Sequence, residues 1–193
     1  MPITEIDICN LALRKVGAQT IMALDEASEN ARLCRQFYPR VRDTVLRLYP
    51  WNCATRRAKL TALSEAPAFG WAKQYPLPVD CLFVQRMEYQ DIPFKIEGRM
   101  LLTDWAEANI IYTARLEDVS QYDNLLVQAI YTMLAAEIST SLRQDAKMYQ
   151  GLMDELMMRV LPLARSINSQ EQSMAQLETT SFLEARLQTG EFL

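Results

Sequence analysis

The sequence contains no histidine among its 193 residues. This absence excludes Ser-His-Asp and Cys-His nucleophilic systems, and also zinc or non-haem iron sites with histidine ligands. Glycine is scarce as well, because only five are present and they never cluster. Neither a GxxxxGKS/T phosphate loop nor a GxGxxG turn can be written with that spacing. We therefore expect no catalytic residues and no cofactor, and a protein that is not an enzyme.

The four cysteines, Cys9, Cys34, Cys53 and Cys81, are too far apart for a CxxC pair or a compact disulfide framework. Long apolar runs are lacking too, since no stretch approaches the roughly 18 apolar residues of a membrane span. The N-terminal MPITEIDICN carries acids where a signal peptide carries lysines. These observations predict a soluble protein made in a reducing cytoplasm, with cysteines as small core residues and no metal site.

Basic residues are slightly outnumbered, since 20 Lys and Arg stand against 24 Asp and Glu for a net charge of −4. Dedicated readers of duplex DNA neutralise phosphates with a basic face, so this balance argues against sequence-specific DNA binding. Apolar residues, by contrast, make up 50% of the chain, which is ample for a core. We expect a globular domain rather than a disordered chain.

Apolar residues recur every three or four positions in four segments, a spacing typical of amphipathic helices. Thr4 and Asp7 predict a capping box at the start of the first helix, and Gly17 predicts a left-handed C-cap at its end. Either Asp25 or Ser28 would cap the second helix. The predicted helices cover residues 4–16, 28–48, 121–142 and 145–167.

Between the second and third predicted helices, prolines punctuate short stretches that no long helix would tolerate. The Glu97-Gly98 step predicts a tight hairpin turn there. We predict a mainly α, α+β fold: an antiparallel helical bundle with a small antiparallel β-sheet insertion at 50–116 and an extended C-terminal tail. A single domain would cover residues 1–167, followed by an interaction tail at 168–193. The predicted strands cover residues 71–77, 81–89, 94–97, 99–103 and 109–116.

The second predicted helix, in which Pro39 should produce a kink, carries arginines off its apolar stripe. They form either a solvated face or a surface that pairs with acids of a neighbouring subunit. The tail is polar with isolated apolar residues that cannot offset the entropy of folding on themselves, so we expect it to become ordered on a partner. The candidate interface residues are Arg32, Arg35, Arg42 and Arg47 on the helix, and Leu177, Phe182, Leu183, Leu187 and Phe192 in the tail.

Other clusters have structural explanations beside functional ones. The methionines between 148 and 158 either fill the core or serve an adaptable protein interface. The basic run at 56–59 either contacts a phosphate backbone or lies at a rim or subunit contact. The acid pairs at 117–118 and 154–155 are best explained as solvated surface. A cluster of aromatic residues between positions 51 and 83 is predicted to form a second small core under the sheet. Its members are Trp51, Phe69, Trp71, Tyr75 and Phe83.

Three stretches of the sequence form a long and unusual pattern. They are ALRKVGA in the first predicted helix, ENARLCRQFYPRVRDTVLRLYPWNCATRRAKL after it, and EAPAFGWAKQYPLPVDCLFV in the proline-rich region. An amphipathic helix ends at an aromatic-Pro-Trp-Asn step, a basic strand follows, and a Phe-Gly-Trp segment leads to Leu-Pro-x-Asp-Cys-Leu. This pattern resembles the tail tubular protein A family of tailed phages. The resemblance covers most of residues 5–115, and the helical pair to residue 167 agrees in kind.

The resemblance implies a structural head-to-tail adaptor of a bacteriophage virion, usually a ring of twelve copies between the portal protein and the distal tail or nozzle protein. Such a ring couples the two and lets DNA pass during genome ejection, without sequence-specific binding, catalysis or a cofactor. The implied location is the head–tail junction, after assembly in the host cytoplasm, with no membrane. Two other classes stay open: a non-catalytic helical assembly chaperone or interaction module, and an acid-based hydrolase of a tail.

Overall fold

Helices account for 49% of the residues that the structure describes and strands for 19%, and the strands form two sheets rather than one. The computed structural model describes residues 3–89, 91–143 and 145–171. Over this part of the chain the fold is α+β, so the predicted helical bundle with a small sheet insertion is wrong. The β part is larger than an insertion into a bundle, because its two sheets enclose a second hydrophobic core of their own.

Helix α1 (Glu5–Lys15) begins and ends where the sequence predicts. The Asp7 backbone N–H donates to Thr4 Oγ1 at 3.2 Å, and the Thr4 backbone N–H donates to Asp7 Oδ2 at 2.9 Å, which confirms the capping box. At the other end Gly17 has a φ of +70°, and the Ala18 N–H donates to the Leu13 carbonyl in a Schellman motif.

Helix α2 (Glu29–Leu48) starts after Ser28, whose side chain accepts a hydrogen bond from the Ala31 N–H. The helix continues through Pro39 to Leu48 as one element. The spacing of Cys34, Phe37 and Val41 predicts that Phe37 faces the core. Tyr38 is instead one of the most deeply buried side chains of α2, and Phe37 is only partly buried. The buried face of α2 consists of Ala31, Leu33, Cys34, Tyr38, Val41, Val45 and Leu46.

Helix α3 (Asn124–Arg143) is the centre of the helical layer. It contacts α1, α2 and the helix that follows it, so it is buried on several sides rather than along one stripe. The predicted start at residue 121 is three residues early. Val119–Gln121 forms a 3-10 turn instead, and the Asp123 side chain accepts from the Leu125 N–H at 2.7 Å at the start of α3.

By length and composition α3 could cross a membrane, and it is the one such helix in the described ranges. Its most apolar 18-residue window has a mean hydropathy of 1.4, and 56% of that window is buried. Packing against α1, α2 and the following helix accounts for this hydropathy, because a helix surrounded by others needs apolar residues around its circumference.

The chain then folds back along α3 as α4 (Ala146–Glu155), a π-helical segment (Leu156–Val160) and α5 (Leu161–Gln170), without a break. Pro162 explains the π-helical segment, because it lacks the N–H for a carbonyl one turn earlier and its ring crowds that carbonyl. The helix ends at Gln170, three residues beyond the predicted end.

The strands pair as two antiparallel sheets. The strands are β1 (Thr55–Leu60), β2 (Lys73–Pro76), β3 (Cys81–Met87), β4 (Lys95–Glu97), β5 (Met100–Thr103) and β6 (Ala108–Ala114). Sheet A has the order β1-β6-β3, and sheet B has the order β2-β5-β4. The predicted hairpin is confirmed between β4 and β5, with Gly98 (φ +58°) and Arg99 as its loop, one residue later than predicted. The first strand is missing from the ranges predicted by spacing, but it lies where the quoted sequence pattern has its basic strand.

The predicted aromatic core under the sheet is wrong. Trp51 belongs to the core of the helical layer, whereas Tyr75 lies between the two sheets. Phe69 and Phe83 are exposed, and Trp71 is only partly buried. The core between the sheets is built mainly from aliphatic side chains of alternating strand positions, which face each other across the two layers.

Candidate functional site

The arginines of α2 do not form one continuous basic surface. Arg32 Nε donates to Glu29 Oε2 at 3.0 Å, and Arg35 donates to the Leu24 carbonyl at 3.3 Å. Arg47 lies near the other end of the helix, about 22 Å from Arg32 along the axis. The predicted interface arginines therefore cannot act together on one small ligand.

Arg42 is mostly buried and contributes to the fold. Its Nη2 lies 2.9 Å from Asp43 Oδ1 and 3.8 Å from a Glu117 carboxylate oxygen. Asp43 also accepts a hydrogen bond from Arg115 Nε at 2.9 Å. Burial disfavours the charged guanidinium, but the bonds to Asp43 outweigh it and raise the pKa of Arg42. Arg42 thus ties α2 to the segment after β6, which leaves it poorly placed to meet a partner.

The start of the predicted tail is well defined. Asn168 is 7% exposed, and Glu171 Oε2 accepts a hydrogen bond from Asn52 Nδ2 at 2.8 Å. The chain therefore leaves α5 beside the 3-10 turn that precedes β1. The other predicted interface residues lie outside the described residues, and they are Leu177, Phe182, Leu183, Leu187 and Phe192.

One face of sheet A packs on sheet B, and the opposite face carries two arginines. Arg57 of β1 and Arg86 of β3 both pair with Ile111 of the central strand β6, so they stand on either side of it. A bulge in β3 between Val84 and Arg86 makes this possible. Without the bulge, Arg86 would point to the same face as Val84, into the core between the sheets.

Hydrogen bonds and an ion pair order the rest of this face. Gln85 Nε2 donates to Thr55 Oγ1 at 3.1 Å and to Thr113 Oγ1 at 3.0 Å, which links all three strands of sheet A. Lys59 Nζ lies 3.0 Å from Glu107 Oε2. Of the predicted basic run, Lys59 is therefore already paired, and Arg57 is the member that remains available on this face.

The two arginines line a groove made of two adjoining depressions of about 380 and about 920 Å³. Both depressions include Arg57, Arg86 and Ile111 in their walls. Guanidinium groups donate several hydrogen bonds in a fixed planar geometry that matches carboxylate and phosphate groups. The groove is therefore a candidate site for an anionic ligand. At its helical end the larger depression is bounded by Tyr49, Pro50, Asn52, Ser169 and Glu171.

A second candidate surface is the outer side of the last helix. Met157, Met158, Leu163 and Ile167 are each more than a third exposed. Leu163 and Ile167 are one helical turn apart, so they share a face. The methionines between 148 and 158 were predicted either to fill the core or to serve an interface, and they do not all behave alike. Met148 and Met153 pack against the helical core, whereas the two methionines of the π-helical segment face outward.

The acid pair at 154–155 is not simply solvated surface. Asp154 is exposed, but Glu155 Oε1 lies 2.6 Å from Lys15 Nζ. The same ammonium lies 5.3 Å from the centre of the Tyr131 ring and 3.5 Å from Thr132 Oγ1. Lys15 therefore joins α1, α3 and α4, a structural role that sequence reasoning missed because its partners are more than 110 residues away.

The cysteines are free, and two of them meet in the helical core. Cys9 of α1 and Cys34 of α2 are both fully buried. Contact with Cys34 and burial raise the pKa of the Cys9 thiol. The fold therefore brings together two thiols that lie 25 residues apart in the sequence. Among the described residues, no group of three or more Cys, Asp and Glu side chains is arranged to hold a metal ion.

A scan against protein-family models and a search of curated proteins gave no match to this chain. The similarity to the tail tubular protein A family therefore rests on the sequence pattern quoted above.

Proposed function

We propose that this chain is a structural head-to-tail adaptor of a tailed bacteriophage. In this proposal its copies form a ring at the head–tail junction, bind the portal protein on one side and the distal tail on the other, and let DNA pass. The proposal is supported by the sequence pattern shared with the tail tubular protein A family. It assigns no catalytic step and no cofactor to the chain.

The structural observation that carries the proposal is the apolar outer side of the last helix. Leu163 and Ile167 are half and more than a third exposed, although the neighbouring Leu156, Val160 and Ala164 are buried in the core. Adjacent exposed apolar side chains on a helix gain free energy when a second protein covers them. In a ring, every copy would have such a neighbour.

The test is the mass of the particles formed by the full chain, alone and mixed with a portal protein, measured by native mass spectrometry and electron microscopy. We expect rings, and we expect the variant Leu163→Asp/Ile167→Asp to prevent them, because two buried carboxylates without partners destabilise an interface. The matched control is Met22→Asp/Val79→Asp, which places the same charges on two highly exposed side chains.

Other outcomes would replace the proposal. A chain that stays monomeric or dimeric and does not bind portal protein would favour the assembly chaperone or interaction module. Turnover of a polysaccharide that is lost when an exposed acid is changed would favour the hydrolase.

A further inference from the structure

The side chains of Arg57 and Arg86 make no hydrogen bond or ion pair with any other described residue. Neighbouring strands lie about 4.8 Å apart, so the backbones of β1 and β3 at these positions are separated by about 10 Å across β6. Arginine side chains of ordinary length can meet over this gap. A carboxylate held above Ile111 could therefore bond to both guanidinium groups.

The groove is bounded by acids, which restricts what it can hold. Glu88 lines the smaller depression and Glu171 the larger one, and Glu88 accepts a hydrogen bond from Asn109 at 2.7 Å. These two carboxylates place negative charge near the two free arginines, whereas Lys59 is already paired with Glu107. Nucleic-acid sites neutralise several successive phosphates, and a groove with two free cations between carboxylates does not suit such a polyanion. It suits a peptide with widely spaced acids and apolar residues between them.

The chain supplies such a peptide at the right place. The described residues end at Glu171, which lines the groove, and 22 further residues follow. They contain Glu178, Glu184 and Glu191 against a single Arg186. The same segment contains seven large apolar residues, which are Met174, Leu177, Phe182, Leu183, Leu187, Phe192 and Leu193.

We propose that residues 172–193 dock in the groove on sheet A of the same chain, with their carboxylates bonded to Arg57 and Arg86. This docking does not depend on ring formation, because the segment starts at the mouth of the groove in the single chain. It differs from the expectation of the sequence analysis that the tail becomes ordered on a partner.

Trypsin cleavage after Arg186 tests the proposal on the full chain, because it releases residues 187–193 as a peptide that mass spectrometry can quantify. We expect the variant Arg57→Glu/Arg86→Glu to release this peptide about tenfold faster than the wild type, since two charge-assisted bonds are lost. Addition of salt should accelerate release from the wild type in the same direction.

The control variant is Arg47→Glu/Arg56→Glu, which makes the same change in net charge at two exposed arginines. Arg56 lies on β1 but on the opposite face from Arg57, and Arg47 belongs to α2. We expect the control to release the peptide at the wild-type rate. Thermal unfolding of all variants identifies any that fail to fold.

A second pair of changes keeps the test valid if the double arginine variant does not fold. Glu178→Gln/Glu184→Gln should also accelerate release, and combining it with the arginine changes should add little, because both remove the same bonds.

Equal release from all variants would overturn the proposal. It would also be overturned if protection fell on dilution, which indicates a second copy as the receiver. Binding of a 20-base-pair duplex that requires Arg57 and Arg86, with unchanged peptide release, would assign the groove to nucleic acid instead.

Discussion

Trp51 anchors the junction between the two layers of the molecule. It is 1% exposed, its Nε1–H donates to the Val45 carbonyl at 3.0 Å, and the Tyr49 ring meets it edge-on at 5.1 Å. Trp51→Ala removes a large buried ring and leaves that carbonyl unpaired, so we expect a loss of about 3–5 kcal/mol in the free energy of unfolding. Urea unfolding measures it. Trp105→Ala is the control, and a similar loss there would contradict this explanation, because that ring is half exposed.

Asp7 gives a prediction about pH. Its bonds from the Thr4 hydroxyl and backbone N–H hold the pKa of Asp7 below its ordinary value of 3.8. A carboxylate with a lowered folded-state pKa stabilises the fold above the unfolded-state value, and this contribution is lost as the pH falls through the folded-state pKa. We expect Asp7→Asn to lower the unfolding midpoint most at pH 6, and progressively less as the pH falls below 3.8. An effect that does not change with pH would show that charge is not involved.

Local chemistry explains which parts of the fold the sequence could predict. The helix caps at Thr4 and Ser28 and the end of α1 at Gly17 depend on residues within one helical turn. They can therefore be predicted from a single sequence. Tyr38 was missed because the predicted stripe assumed one partner face, whereas α2 packs on α3 and also contacts strands β3 and β6 of sheet A.

Of the two arginines in the candidate groove, the sequence indicated only Arg57. Arg57 stands in a visible basic run, but Arg86 reaches the same face only through the bulge in β3. A one-residue irregularity inverts every later side chain of a strand, and no local sequence signal marked it. The pairing of β1 with β6 spans about fifty residues of chain, so local spacing did not predict β1, and only the longer sequence pattern indicated a strand there.

At the scale of helices, we expect the substitution of glycine by alanine to have opposite effects on stability at Gly17 and at Gly151. Gly17 ends α1 with a φ of +70°, and an added Cβ would lie 3.3 Å from Arg143 Nη2, whose guanidinium donates to the Gly17 carbonyl at 2.6 Å. Gly17→Ala should cost about 1–2 kcal/mol. Gly151 lies inside α4 with no heavy atom near the added Cβ, so Gly151→Ala should stabilise by about 0.5–1 kcal/mol. Thermal unfolding of both variants compares them directly, and a shift of the same sign in both would contradict the explanation.

At the scale of the whole molecule, we expect removal of the tail to affect assembly but not thermal stability. The two cores described here are built from residues 3–164. We expect a chain lacking residues 172–193 to unfold within about 1–2 °C of the full chain, because the truncation keeps every residue of these cores. The same truncation should prevent ring closure or portal docking, measured by native mass spectrometry. Full rings that still bind portal protein would remove the tail from the assembly proposal.

The pairing of β1 with β6 has a consequence for the order of folding. The chain leaves the helical layer at Thr55 and returns at Thr113, and these two residues are direct partners in the antiparallel ladder. Their Cα atoms therefore lie only about 5 Å apart. Once sheet A has formed, the nearly sixty residues between Thr55 and Thr113 no longer lengthen the connection from α2 to α3. The connection then acts as a much shorter loop, so the entropic cost of bringing these helices together falls. The docking of α3, which completes the helical layer, should then be fastest in molecules whose strands have already paired.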